Sequence, residues 1–198
     1  MAPKRMVVAL TGGPGGGKST LVQYMQADPR WAGRFVALPE AVLYAWRIGL
    51  DPGDALFQRT VVAVQCALEE AADGALGPGD RRPILCHRGT LDALGFWLQQ
   101  GGQADDFFEG TATTRAEQYQ RYDLVLHMVT NVIDVERAHT RWAELHNPPA
   151  ENAAVQLDGL LGEVWGDHPH YFRLDNRQRD WPMKYAAACE ILGRFWPQ

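Results

Sequence analysis

The stretch Gly12-Gly13-Pro14-Gly15-Gly16-Gly17-Lys18-Ser19 constrains this chain more than any other part of it. It matches the pattern G-x-x-x-x-G-K-[ST]. A short apolar, β-branched run at 6–11 precedes it, and a helical pattern at 19–27 follows. Glycines let a backbone wrap a phosphate without side-chain clashes, so that successive N–H groups point inward. The N-terminus of the next helix adds partial positive charge. Lys18 can then reach the β- and γ-phosphates, while the Ser19 hydroxyl joins the shell of a magnesium ion. Gly13, Pro14, Gly15, Gly16, Gly17, Lys18, Ser19 and Thr20 are the expected nucleotide-binding residues. The motif implies that a nucleoside triphosphate is bound, and leaves open what is done with it.

The rest of the chain alternates between two periodicities. Strand patterns fall at 34–39, 84–86, 123–129 and 171–174. Helical patterns fall at 41–48, 54–75, 91–99, 113–121, 134–145, 151–165 and 182–195. In the longest of these, Leu56, Val61, Val64, Leu68 and Ala71 recur mostly three or four apart and give the helix one buried face. The runs GALGPGDRRP and QQGGQADD read as loops. Strands alternating with helices predict an α/β fold, a five-stranded and mainly parallel sheet covered on both faces. A length of 198 residues suits a single domain, 1–198.

Composition narrows the partners. Hydrophobic residues at 46% and charged residues at 22% are ordinary for a globular chain. A net charge of -5 argues against general attraction to a nucleic-acid backbone or an anionic membrane, although a local basic cleft is compatible with it. Cys66, Cys86 and Cys189 sit among apolar residues with no metal or redox spacing, and read as reduced core residues. The opening MAPKRMVVAL carries Lys4 and Arg5 but no long apolar segment, so it is neither a signal peptide nor a membrane span. A cytoplasmic location is expected.

Three stretches, ALTGGPGGGKSTLV, ALPEAV and CHRGTLDALGFW, resemble the small AAA-like P-loop domains that include nicotinamide riboside kinase. In those domains T-G-G-P-G-[SG]-G-K-[ST]-T, P-E-A and D-R-G-x-x-D occur in the same order. A weaker likeness is to deoxyribonucleoside kinases, which place a Glu after the second strand and an acidic-Arg pair after the third. The resemblance implies a P-loop NTPase fold with a helical lid at 134–150. It also implies magnesium-dependent transfer of the ATP γ-phosphate to a hydroxyl of a small, nucleoside-like acceptor. GTP is disfavoured, because no N-K-x-D base-reading motif is present.

By the same resemblance, Glu40 would contact the acceptor or take its hydroxyl proton, the alternative being an acid that steadies a helix N-terminus. Arg88 would clamp substrate or phosphate, or form a structural ion pair. Asp92, one turn into the next helix, would approach the metal through water or sit at the helix start. Arg137 and Arg141, four apart on one helix face, resemble lid arginines that close over the transferred group, against the alternative of a solvated basic face. Asp175 and Asn176 fall where related proteins cradle adenine. Gln58, Arg59 and Gln65, with Tyr44, Trp46, Phe57 and Trp97, suit a flat ring such as a nucleobase, or belong to the core.

His87 breaks the pattern, because the resemblance places an aspartate there. Magnesium prefers oxygen ligands, and imidazole suits softer metals. Three readings stay open. Glu40 or Asp92 organises the metal's waters while His87 holds a phosphate or a water. The chain binds nucleotide as a slow ATPase or switch acting through a protein partner. Or His87 itself serves as an acid or base. A nucleic-acid end kinase is a further option.

Overall fold

The computed structural model describes residues 5–77, 79–131, 151–175 and 180–196. Five strands, β1 (Val7–Thr11), β2 (Val36–Leu38), β3 (Ile84–His87), β4 (Leu124–Met128) and β5 (Tyr171–Leu174), form one sheet in the order β2-β3-β1-β4-β5. Every pairing is parallel, where the sequence pattern predicts a mainly parallel sheet. The described helices are α1 (Lys18–Ala27), α2 (Val42–Arg47), α3 (Ala55–Leu76), α4 (Asp92–Gln99), α5 (Ala104–Thr111), α6 (Arg115–Gln120), α7 (Glu151–Trp165) and α8 (Trp181–Phe195). Arg137, Arg141, Asn176 and the expected lid at 134–150 lie outside the described residues.

Side chains alternate across a strand, and the alternation sorts the core into two layers. Val8, Leu10, Leu85, Leu124, Leu126 and Met128 face Leu21 and Met25 of α1 and Ala188, Cys189 and Leu192 of α8. Ala9, Ile84, Cys86 and Val125 face Val62 of α3, Leu94 of α4, Phe107 of α5, and Val164 and Trp165 of α7. Covered on both faces, β1, β3 and β4 need apolar residues at nearly every position, which is what the sequence supplies. Of the three cysteines, Cys86 and Cys189 are buried and Cys66 is partly buried.

The segment QQGGQADD, read from sequence as a loop, runs into helix α5. Asp105 and Asp106 lie in its first turn, where acids complement the helix dipole. Phe107 is buried in the second core layer and holds so short a helix in place by tertiary packing.

Register positions the site. Leu10 pairs with His87, and Leu38 pairs with Cys86, so His87 ends β3 beside the loop after β1, with Glu40 just past the end of β2. From β1 the chain fills one side of the sheet and then crosses to the other at β4. The crevice at the carboxyl end of β1 is therefore the switch point where ligands bind in such sheets.

Candidate functional site

The phosphate loop joins β1 to α1. Gly12 has φ 117 and Gly17 has φ 91, left-handed conformations that favour glycine. A Cβ on Gly12 would overlap the Met128 carbonyl oxygen, and one on Gly17 would lie 2.6 Å from the Trp181 ring.

Cations hold the loop by its carbonyls. Lys18 Nζ donates to Gly12 O at 2.7 Å and to Gly13 O at 2.9 Å. Arg88 Nη1 donates to Gly12 O at 3.2 Å, and Lys184 Nζ of α8 donates to Gly16 O at 2.9 Å. The arrangement gathers three positive side chains around a site meant for an anion. Burial, and then the neighbouring Arg88, lowers the Lys18 pKa to about 7. On the opposite side Asp158 Oδ1 of α7 accepts from Gly13 N at 2.9 Å, from Thr130 N at 2.9 Å and from His127 Nε2 at 3.1 Å. Burial opposes the charge on Asp158, and these hydrogen bonds hold it well below the usual carboxylate range. Asp158 and Lys184 escape the sequence reading. Asp158 leaves one signal, because it shares a helical face with the buried Ala154, Leu157, Leu161 and Trp165.

Glu40, His87 and Ser19 form a chain across the crevice. His87 Nδ1 lies 2.9 Å from Glu40 Oε1, off the ring N–H axis, so the contact is electrostatic rather than an aligned hydrogen bond. His87 Nε2 lies 2.9 Å from Ser19 Oγ. Burial works against ionisation of Glu40, yet His87, Arg88 and Lys18 together hold its pKa down to about 2. All three residues line a cleft of about 390 Å³ shared with Gln23, Leu43 and Trp46, a volume within the range of small-molecule sites.

Arg88 and Asp92 form a buried pair. Arg88 takes φ 82, a conformation rare for a residue with a side chain and one that marks functional sites. Its Nη1 donates to Asp92 Oδ2 at 2.9 Å, and its guanidinium lies 5.0 Å from the Phe96 ring centroid. Its Nε is buried with no hydrogen-bond partner. Asp92 Oδ1 accepts from Trp165 Nε1 at 2.8 Å, so both Asp92 oxygens are engaged by protein.

Behind this pair, α2, α3 and α4 enclose a slot of about 110 Å³ lined by Trp46, Phe57, Gln58, Gln65, Arg88 and Phe96, among others. That is room for one small ring, not for a larger molecule. Gln65 Nε2 donates to Glu69 at 2.9 Å. Trp46 borders both cavities. Arg59 is exposed beside Gly110, Tyr44 is exposed, and Trp97 donates to Gln103 O, so none of these three lines the slot. Phe96 replaces Trp97, its neighbour in sequence, as the slot aromatic. Asp175 directly follows β5.

A divalent ion on the phosphates would find here the Ser19 hydroxyl and one imidazole nitrogen, with the Glu40 carboxylate opening on the same cleft. Ser19 fits magnesium and His87 does not. Among the described residues no three His, Cys, Asp or Glu side chains converge on a metal position. None of the described helices is long and apolar enough to cross a membrane.

Among curated proteins, none matches this sequence. Among solved structures, a deoxyadenosine kinase from M. mycoides with the products dCMP and a flexible dCDP bound superposes with a TM-score of 0.55 at 18% sequence identity. The superposition covers 96% of this chain and 100% of that one. The same enzyme with dATP bound gives 0.53 at 15% identity, covering 95% and 100%. NadR protein in complex with NR gives 0.65 at 16% identity, covering 97% of this chain but 51% of that one, so this chain spans about half of NadR. At such identities the likeness concerns the fold, which is that of the P-loop NTPases. A family model described as AAA domain matches residues 7–179. Loop, sheet order and matched span agree, and the chain belongs to this AAA-domain family.

Proposed function

We propose that this protein is an ATP-dependent small-molecule kinase that moves the γ-phosphoryl group onto a hydroxyl of a nucleoside-like acceptor. One observation carries the reading. Glu40 and Arg88 meet the phosphate loop at the carboxyl end of the sheet, with an amide- and aromatic-lined slot directly behind them.

In this reading the loop amides and Lys18 hold the phosphates, Lys18 exchanging the Gly12 and Gly13 carbonyls for phosphate oxygens. The slot takes a flat ring against Phe96 and Trp46, with Gln58 supplying hydrogen bonds, and the acceptor hydroxyl is presented to Glu40. With a pKa of about 2, Glu40 is a weak base at neutral pH. Its work is to orient the hydroxyl and to receive the proton late, which suits a loose, metaphosphate-like transition state. Arg88, with Arg137 and Arg141 closing from the lid, would offset charge on the transferred group. Asp175 and Asn176 would hold the adenine. Gln65 contributes to the slot wall from its bond with Glu69.

A second reading, a nucleotide switch with slow hydrolysis, draws on the engagement of Glu40 by His87. Lys18→Ala tests the reading offered first. It is expected to abolish phosphoryl transfer, and an unchanged rate in that variant sinks the proposal. Hydrolysis that ignores every acceptor favours the switch.

A further inference from the structure

The donors beside the loop depart from what magnesium takes, and the departure has its own chemistry. Ser19 Oγ and His87 Nε2 are 2.9 Å apart. Two donors on adjacent vertices of an octahedral ion, each about 2.1 Å from it, stand about 3.0 Å apart. The observed separation therefore suits shared coordination of one ion as well as it suits the hydrogen bond. On the far side of the ring, Glu40 Oε1 faces Nδ1 at 2.9 Å. That contact is off the N–H axis, and the charge of the carboxylate alone favours the proton on Nδ1, which leaves the lone pair on Nε2. Ser19, Glu40 and His87 open on one cleft of about 390 Å³, which has room for phosphate oxygens and water to complete a shell. No three His, Cys, Asp or Glu side chains among the described residues form a metal-holding group, so phosphate oxygens and water must supply the rest.

We propose that Ser19 Oγ and His87 Nε2 together bind the divalent ion of the nucleotide complex, and that the imidazole makes the site select a later transition-series ion, such as cobalt or nickel, over magnesium. Magnesium gives up its water reluctantly and takes oxygen, whereas affinity for an imidazole rises along the series from manganese toward nickel. The proposal rests on the nucleotide site described above and not on transfer to any acceptor.

The probe is Mn²⁺ with AMP-PCP, an ATP analogue that is not hydrolysed and has no nitrogen in its phosphate bridge. Calorimetry first establishes nucleotide binding, and pulsed EPR of the Mn²⁺ signal then reads coupling to a coordinated ¹⁴N nucleus. The wild type is expected to show that coupling and to bind the Co²⁺ complex about tenfold tighter than the Mg²⁺ complex. His87→Asp is expected to lose the coupling and to bring the two affinities within about twofold of each other, while still binding nucleotide. His87→Asn, an uncharged replacement, should also lose the coupling. The wild-type spectrum decides the matter even if neither variant folds. Binding without ¹⁴N coupling in the wild type, or coupling retained in His87→Asp, overturns the proposal and leaves the nucleotide site standing. No binding of either complex overturns both.

Discussion

The Asp158 carboxylate accepts a hydrogen bond from the Gly13 amide at 2.9 Å, joining α7 to the phosphate loop. The same oxygen receives the Thr130 amide and hydroxyl and the His127 ring. His127 in turn lies 2.6 Å from the Tyr171 hydroxyl of β5. One buried acid thus fixes the loop against β4 and β5.

Removing that acid takes one acceptor from several buried donors. Asp158→Ala is expected to cost about 2–4 kcal/mol in urea unfolding and to weaken nucleotide binding. Asp158→Asn keeps an acceptor oxygen and should cost less. Because the carboxyl is held below its ordinary range, its contribution is full above that range and is lost as the pH falls through the lowered pKa. A variant as stable as wild type would show the network to be idle.

Lys18 makes nucleotide binding depend on protons. With its pKa lowered to about 7, part of the lysine is neutral in the nucleotide-free protein near neutral pH. Bound phosphates favour the charged form, so binding takes up protons, and affinity falls as the pH rises above about 7. Calorimetry in buffers of different ionisation enthalpy should read an uptake approaching one proton per site at about pH 8. Zero uptake there contradicts the environment described for Lys18.

The slot should govern the acceptor and not ATP. Phe96→Ala and Gln58→Ala are each expected to raise the acceptor KM about 10- to 100-fold, with the KM for ATP within about twofold of wild type. Equal losses for both substrates would place these residues in the general fold instead.

Gly17→Ala combines two faults, a left-handed backbone at φ 91 and a Cβ 2.6 Å from Trp181. A loss of about 1–3 kcal/mol in stability, together with weaker nucleotide binding, is expected in thermal unfolding. An unaltered melting temperature would mean that the loop relaxes freely.

The sequence carried the loop and the sheet because both are local in origin. A glycine run between an apolar strand and a helix states its own geometry, and doubly covered strands must be apolar. Helix α7 and strand β5 were legible to the residue, 151–165 and 171–174. Helix α5 was hidden, because its acids and glycines resemble a loop until Phe107 finds its core neighbours. The candidate site was legible where residues stand at or just past strand ends, as Glu40, His87 and Arg88 do. It was opaque where helices reach in from far along the chain. Asp158 and Lys184 meet the loop only through tertiary packing, and the choice of Phe96 over Trp97 depends on how α4 is rotated.

The central claim is phosphoryl transfer to an acceptor, and the fate of the γ-phosphate tests it most directly. Protein given ATP labelled at the γ-phosphate and a panel of nucleosides should place the label on an acceptor hydroxyl, one label per ATP consumed. Label found only in inorganic phosphate, at a rate indifferent to every nucleoside, would contradict it.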